Sequence, residues 1–152
     1  MIWLFGLALT PSITRSQQSN DVNAMNLKTG QVVTLKVNGK SNCLNMLDRN
    51  IESFAKIQIP PGLYEVTLNS KAYAVAAKAG SVPDVSTIIK KAVVYMITPS
   101  KEYVWIIEDN QPLRIRNAGQ GLMGGNTLFA FFLDVYTADN NGDGVLSIKK
   151  IE

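Results

Sequence analysis

Histidine is absent from the 152 residues, and no other feature of the composition removes as much chemistry. Without it there is no Ser-His-Asp triad, no Cys-His pair and no His-liganded zinc or iron site. Cysteine occurs once, at Cys43, so neither an internal disulfide nor a thiolate cluster can form. A lone cysteine of this kind reads as a small buried or half-buried apolar side chain. Charge is sparse and unsegregated, with 15 basic against 12 acidic residues for a formal net charge of +3. Lys90-Lys91, Lys149-Lys150 and Arg114 with Arg116 make no long basic stripe, which argues against nucleic acid as a partner. Internal repeats are lacking too. The leading apolar block, Met1 to Leu9, is too short to cross a bilayer as a helix, so no transmembrane span is expected.

What is present suits one globular domain. Hydrophobic residues make up 46% and charged residues 18%, enough to bury a core and too apolar for disorder. Residues 1–13 read as an apolar leader. Its length suits the central region of a secretory signal, although a basic segment before it and a small-x-small cleavage site are missing. Removed, it implies export; retained, it needs a partner surface, either its own core or a groove on a neighbouring subunit. Residues 14–26 are polar and read as a linker, leaving 27–152 for the folded domain.

That domain reads as short strands separated by turn residues, the pattern of a sandwich or jelly roll. Val33, Leu35 and Val37 alternate with Val32, Thr34 and Lys36, and Asn38-Gly39 supplies a turn able to take positive φ. Leu44, Leu47, Ile51 and Phe54 recur at helical spacing and suggest one short helix, with Ser41 or Asn42 as N-cap. Residues 55–59 and 63–68 form the clearest strand pair, reversing at Pro60-Pro61-Gly62. Residues 72–77 extend the sheet, and Pro83-Asp84 opens a helical turn before the strand at Val93 to Ile97. Two more strands, Tyr103 to Ile107 and Leu113 to Arg116, flank a turn at 109–112, and Gly119 to Gly125 reads as a mobile loop. Thr127 to Tyr136 is apolar on both faces, as a central covered strand is.

The most informative stretch follows that strand: Asp134-Val-Tyr-Thr-Ala-Asp-Asn-Asn-Gly-Asp-Gly144, an oxygen-rich loop of the kind hard cations require. Asp139, Asn141, Asp143 and Gly144 match the first half of an EF-hand loop, but its twelfth position is Lys150 where a bidentate Glu belongs. The alternation from Val145 to Lys149 also predicts a strand where an EF-hand needs a helix. The plainest alternative is a polar hairpin loop that merely turns the chain.

Residues 134–148, Asp-Val-Tyr-Thr-Ala-Asp-Asn-Asn-Gly-Asp-Gly-Val-Leu-Ser-Ile, resemble the terminal calcium segment of the bacterial galactophilic lectin family. The resemblance implies a jelly-roll-like β-sandwich holding Ca2+ through Asp134, the Thr137 carbonyl, Asn140 and Asn141. A backbone carbonyl near Ala76 would join them, because Pro61 to Ala76 is similar to an earlier strand of that family. It further implies carbohydrate bound at open metal positions, with Val135, Asp139 and Asp143 making secondary contacts. The family's sugar pocket uses a histidine that this chain lacks, and residues 81–122 have no counterpart in it. A similar arrangement occurs in jelly-roll modules of exported bacterial proteins.

Other candidates have plainer readings. Tyr95, Tyr103 and Trp105 fit strand packing as well as sugar stacking. Glu65, Asp84, Glu108 and Asp109 include no pair that the sequence places together for glycoside hydrolysis. The glycine-rich segment 119–125 lacks the Lys-Ser/Thr of a phosphate loop. The expectation is therefore a secreted or cell-surface, non-catalytic, calcium-binding sandwich with a carbohydrate ligand. The alternative is a structural subunit of an extracellular filament or surface assembly, a homo-oligomer joined through its apolar N-terminus.

Overall fold

The computed structural model describes residues 21–70, 91–98, 101–119, 126–134, 137–138 and 140–152. All regular elements among them are strands: β1 (Asp21–Asn23), β2 (Val32–Asn38), β3 (Cys43–Asn45), β4 (Ala55–Ile59), β5 (Gly62–Asn69), β6 (Lys91–Ile97), β7 (Glu102–Glu108), β8 (Leu113–Asn117), β9 (Asn126–Asp134) and β10 (Asp143–Lys150). They form a β-sandwich. One sheet runs β1-β4-β9-β6-β7, with β3 also paired to β9, and the other runs β2-β10-β5-β8.

Period-two alternation builds both layers. In β4, Ala55, Ile57 and Ile59 are buried while Lys56 and Gln58 face out, and in β10 Leu146 and Ile148 point inward between Val145, Ser147 and Lys149. Leu35, Val37, Tyr64, Val66, Leu68, Leu128, Phe132, Leu146 and Ile148 meet between the sheets in one cluster. Each such side chain contributes about 1.5–3 kcal/mol on leaving water. Tyr64, wholly buried, donates its hydroxyl to the Pro60 carbonyl. Burial pushes that phenol up to about 12.

Strand β9 is the spine of the larger sheet, flanked by β3 and β4 on one side and β6 on the other. Its inward residues Leu128, Ala130 and Phe132 are fully buried. Its outward residues Phe129 and Phe131 join Phe54 and Tyr95 in an aromatic cluster, Tyr95 stacking on Phe129 at 4.8 Å. Apolar character on both faces of this strand thus has a structural outlet on each side.

The local details differ from the sequence reading in several places. No helix occurs among the described residues, and 44–54 forms β3 followed by turns. Asn45 Oδ1 accepts the Leu47 and Asp48 amides and Arg49 takes φ 52°, so side-chain capture of backbone donors outcompetes the helical spacing. The polar stretch 14–26 contains β1, whose one apolar residue, Val22, enters the core beside β4. Strands β4 and β5 are no hairpin. They lie in different sheets, and Pro60-Pro61-Gly62 carries the chain across the sandwich. Gly62 has φ +152°, and a Cβ there would collide with the Glu152 carbonyl. Strands β7 and β8 likewise lie in different sheets, joined through Asn110 at φ 59°. The turn after β2 uses no positive φ at Asn38-Gly39; instead Asn38 Oδ1 accepts the Lys40 and Ser41 amides. The expected strand at 72–77, the turn at 83–84 and most of the glycine-rich loop lie outside the described residues. Among the described residues no helix is long and apolar enough to cross a membrane.

Candidate metal site

Strand β9 delivers Asp134 to one end of the sandwich. Phe132 points inward and Leu133 outward, so the alternation turns Asp134 inward, opposite Asn45 of β3. The Asp134 carbonyl accepts the Met46 amide at 2.7 Å, which fixes the strand end, and its carboxylate atom Oδ2 is buried.

The loop returns through Thr137, whose carbonyl accepts the Asn140 amide at 3.3 Å. Asn140 is 6% exposed, unusual for a loop amide. Its Nδ2 donates to the Gly39 carbonyl at 2.9 Å and lies 3.4 Å from Cys43 Sγ. Gly39 in turn donates its own amide to the Gly142 carbonyl at 2.9 Å. The β2–β3 turn is therefore clamped to the loop through both polar groups of one glycine. Cys43 is buried, as its isolation suggested, and precedes Asn45, the register partner of Asp134, by two positions. Asn140, against Cys43, and Asp134, paired with Asn45, thus both border β3. The Oδ1 of Asn140 is buried and accepts no hydrogen bond among the described residues. A buried amide carbonyl without a donor costs roughly 1–3 kcal/mol, and a cation would relieve that cost.

The other expected ligands divide. Asn141 is exposed and its Oδ1 accepts the Gly142 amide at 2.8 Å. Asp143 is engaged elsewhere, with Oδ1 accepting from Asn38 Nδ2 and Oδ2 pairing with Lys36 Nζ, both at 2.7 Å. Gly144, next along β10, packs its bare Cα against the Phe132 ring, since a Cβ there would lie 2.6 Å from Cζ. Ala76, Val135 and Asp139 lie outside the described residues. Among the described residues no three His, Cys, Asp or Glu side chains gather as a metal cage. The donors available are thus one carboxylate, one amide oxygen and backbone carbonyls, a set suited to a hard cation held weakly.

The second wall of this site, the turn Asn38 to Cys43, escaped the sequence reading. Buried Asn42 secures that turn, with Oδ1 accepting the Asn38 amide at 2.8 Å and Nδ2 donating to the Ser53 carbonyl at 3.0 Å. The one available signal was the density of asparagine at 38, 42 and 45 around a glycine.

Comparison with protein-family models, curated proteins and solved structures finds no match for this chain.

The carboxylates weighed for hydrolysis have structural occupations. Glu108 pairs with Lys91 at 2.6 Å, Asp109 accepts the Ser70 amide at 2.6 Å, and Glu65 stands between Arg114 and Lys149 in the register. Asp84 lies outside the described residues. Tyr103 and Trp105 stack on each other at 5.7 Å on β7.

Proposed function

We propose that this chain is an exported, non-catalytic, calcium-binding β-sandwich module that binds carbohydrate through its metal loop. The observation that carries the reading is the buried Oδ1 of Asn140, which accepts no hydrogen bond among the described residues and belongs to a residue bordering β3, as Asp134 does. Asp134, Asn140 and the Thr137 carbonyl supply three oxygens, fewer than the 6–8 that calcium takes. The remaining positions are open to water or to vicinal hydroxyls of a sugar. A single carboxylate among the ligands implies a dissociation constant of about 10⁻⁴–10⁻³ M, the range of extracellular modules. Terbium or calcium titration followed by thermal melting tests the site: Asp134→Ala should abolish a metal response that the parent shows. A parent indifferent to millimolar calcium would refute it.

A second reading, the surface-assembly subunit, draws on β7. That strand ends the larger sheet among the described residues, with Val104 and Ile106 65% and 61% exposed. An exposed apolar edge accepts an added strand, and the apolar block at 1–9 has the composition to supply one. Under this reading, deleting residues 1–13 converts an oligomer in sedimentation analysis to a monomer. A parent that is already monomeric would dismiss it.

A further inference from the structure

The outward face of the larger sheet holds a shallow trough of about 440 Å³ lined by side chains from β1, β4 and β9. Register arranges them in two rows. Asp21, Lys56 and Phe129 are neighbours across three strands, and Asn23, Gln58 and Thr127 are neighbours in the next row. Phe129 stacks on Tyr95 with planes 17° apart, meets the Phe54 ring edge-to-face at 6.1 Å, and also borders the trough. Gln58 and Thr127 make no side-chain hydrogen bond among the described residues. Asn23 uses its Oδ1 on the Met25 amide, leaving its NH₂ outward. Asp21 and Lys56 pair at 3.0 Å, so the two charges that line the trough among the described residues balance.

These features select a ligand by chemistry. An aromatic face attracts C–H groups through its quadrupole. Amides and a hydroxyl supply both donors and acceptors, and the neutralised ion pair gives no preference for phosphate or carboxylate. A volume within the usual range for small-ligand sites, open along one side, suits a segment of chain. From this combination we infer that the trough is a second binding site, for an uncharged glycan whose pyranose ring stacks on Phe129. It lies toward the opposite end of β9 from Asp134, its Phe129 and Thr127 five and seven residues or about 17 and 23 Å away. Glycan binding here needs no metal and stands whether or not the loop binds calcium.

The test is a glycan array of neutral glucans, mannans, galactans and xylans beside sulfated and sialylated chains, probed with the full chain in EDTA. Retained binding to a neutral glycan is expected, weakened about tenfold by Gln58→Ala or Thr127→Val as one hydrogen bond is lost. Gln58 is exposed and Thr127→Val keeps the shape of a half-buried side chain, so folding should survive, and Phe129→Ala should weaken binding further. Binding to acidic chains alone, no binding in EDTA, or retention indifferent to Gln58→Ala and Thr127→Val would each overturn the inference. Neutral-glycan binding that vanishes only with EDTA would assign the sugar to the calcium loop and overturn it equally. Persistence in Asp134→Ala would support it.

Discussion

Replacing Asn140 by aspartate sets two effects of opposite sign against each other at one buried position. Without metal, the new carboxylate loses the Nδ2 donation to Gly39 and brings negative charge against that glycine's carbonyl. A buried charge facing an acceptor in place of a donor costs about 2–4 kcal/mol. With calcium, the site rises from one carboxylate to two, and affinity follows ligand charge. For the parent, calcium at about ten times its dissociation constant stabilises by about 1.4 kcal/mol. In a chain of this size that corresponds to a rise of about 3–5 °C in Tm. If the second carboxylate tightens binding roughly tenfold, the same calcium stabilises the variant by about 2.7 kcal/mol. Asn140→Asp should therefore melt well below the parent in EGTA and recover about twice as much on adding calcium. Paired circular-dichroism melts, with magnesium as control, measure both numbers. A variant whose calcium response is no larger than the parent's would refute the placement of Asn140 at a cation.

Asp143→Ala should cost about 1 kcal/mol in denaturant unfolding, mostly through the hydrogen bond to Asn38, because the Lys36 pair is half-exposed and worth little. The calcium response should persist, since both Asp143 oxygens are already engaged; its loss would show that Asp143 is a ligand. Tyr64 has a folded pKa of about 12 against about 10 unfolded, so its neutral form is favoured in the fold. That contribution is complete below about pH 10 and declines by up to roughly 2–3 kcal/mol as pH rises toward 12. Tyr64→Phe should flatten this alkaline decline while costing about 1 kcal/mol at neutral pH, and an unchanged slope would contradict the assignment. Gly144→Ala should destabilise by about 1–3 kcal/mol, because the added methyl meets the fully buried Phe132 ring, and a neutral effect in thermal melts would mean that the ring relaxes freely.

Strands that alternate cleanly were legible in the chain. Ala55-Lys-Ile-Gln-Ile59 and Val145 to Lys149 announce their inner faces by period two, and β9 announces its central place by being apolar on both sides. Partnership was not legible. Pro60-Pro61-Gly62 marks a reversal, yet nothing local distinguishes a hairpin from a crossing between layers, because both strands bury one face either way. The helix expected at Leu44 to Phe54 failed for a different reason: Asn45 captures the Leu47 and Asp48 amides, an alternative that spacing of apolar residues does not reveal. At the site, the period of Leu128, Ala130 and Phe132 already turns Asp134 inward. Asn140 and Asn141, chemically identical neighbours, both read as ligands, and their different burial was not legible. Gly39 and Cys43, 101 and 97 positions earlier, decide which one is buried.

The place of β10 between β2 and β5 bears on how the molecule is made. Among the described residues β2 has no other sheet neighbour, and Asn38 precedes its partner Asp143 by 105 positions. A nascent polypeptide can bring together the described strands of the larger sheet once β9 has emerged, while β2 waits for β10. Such long-range closure is slow.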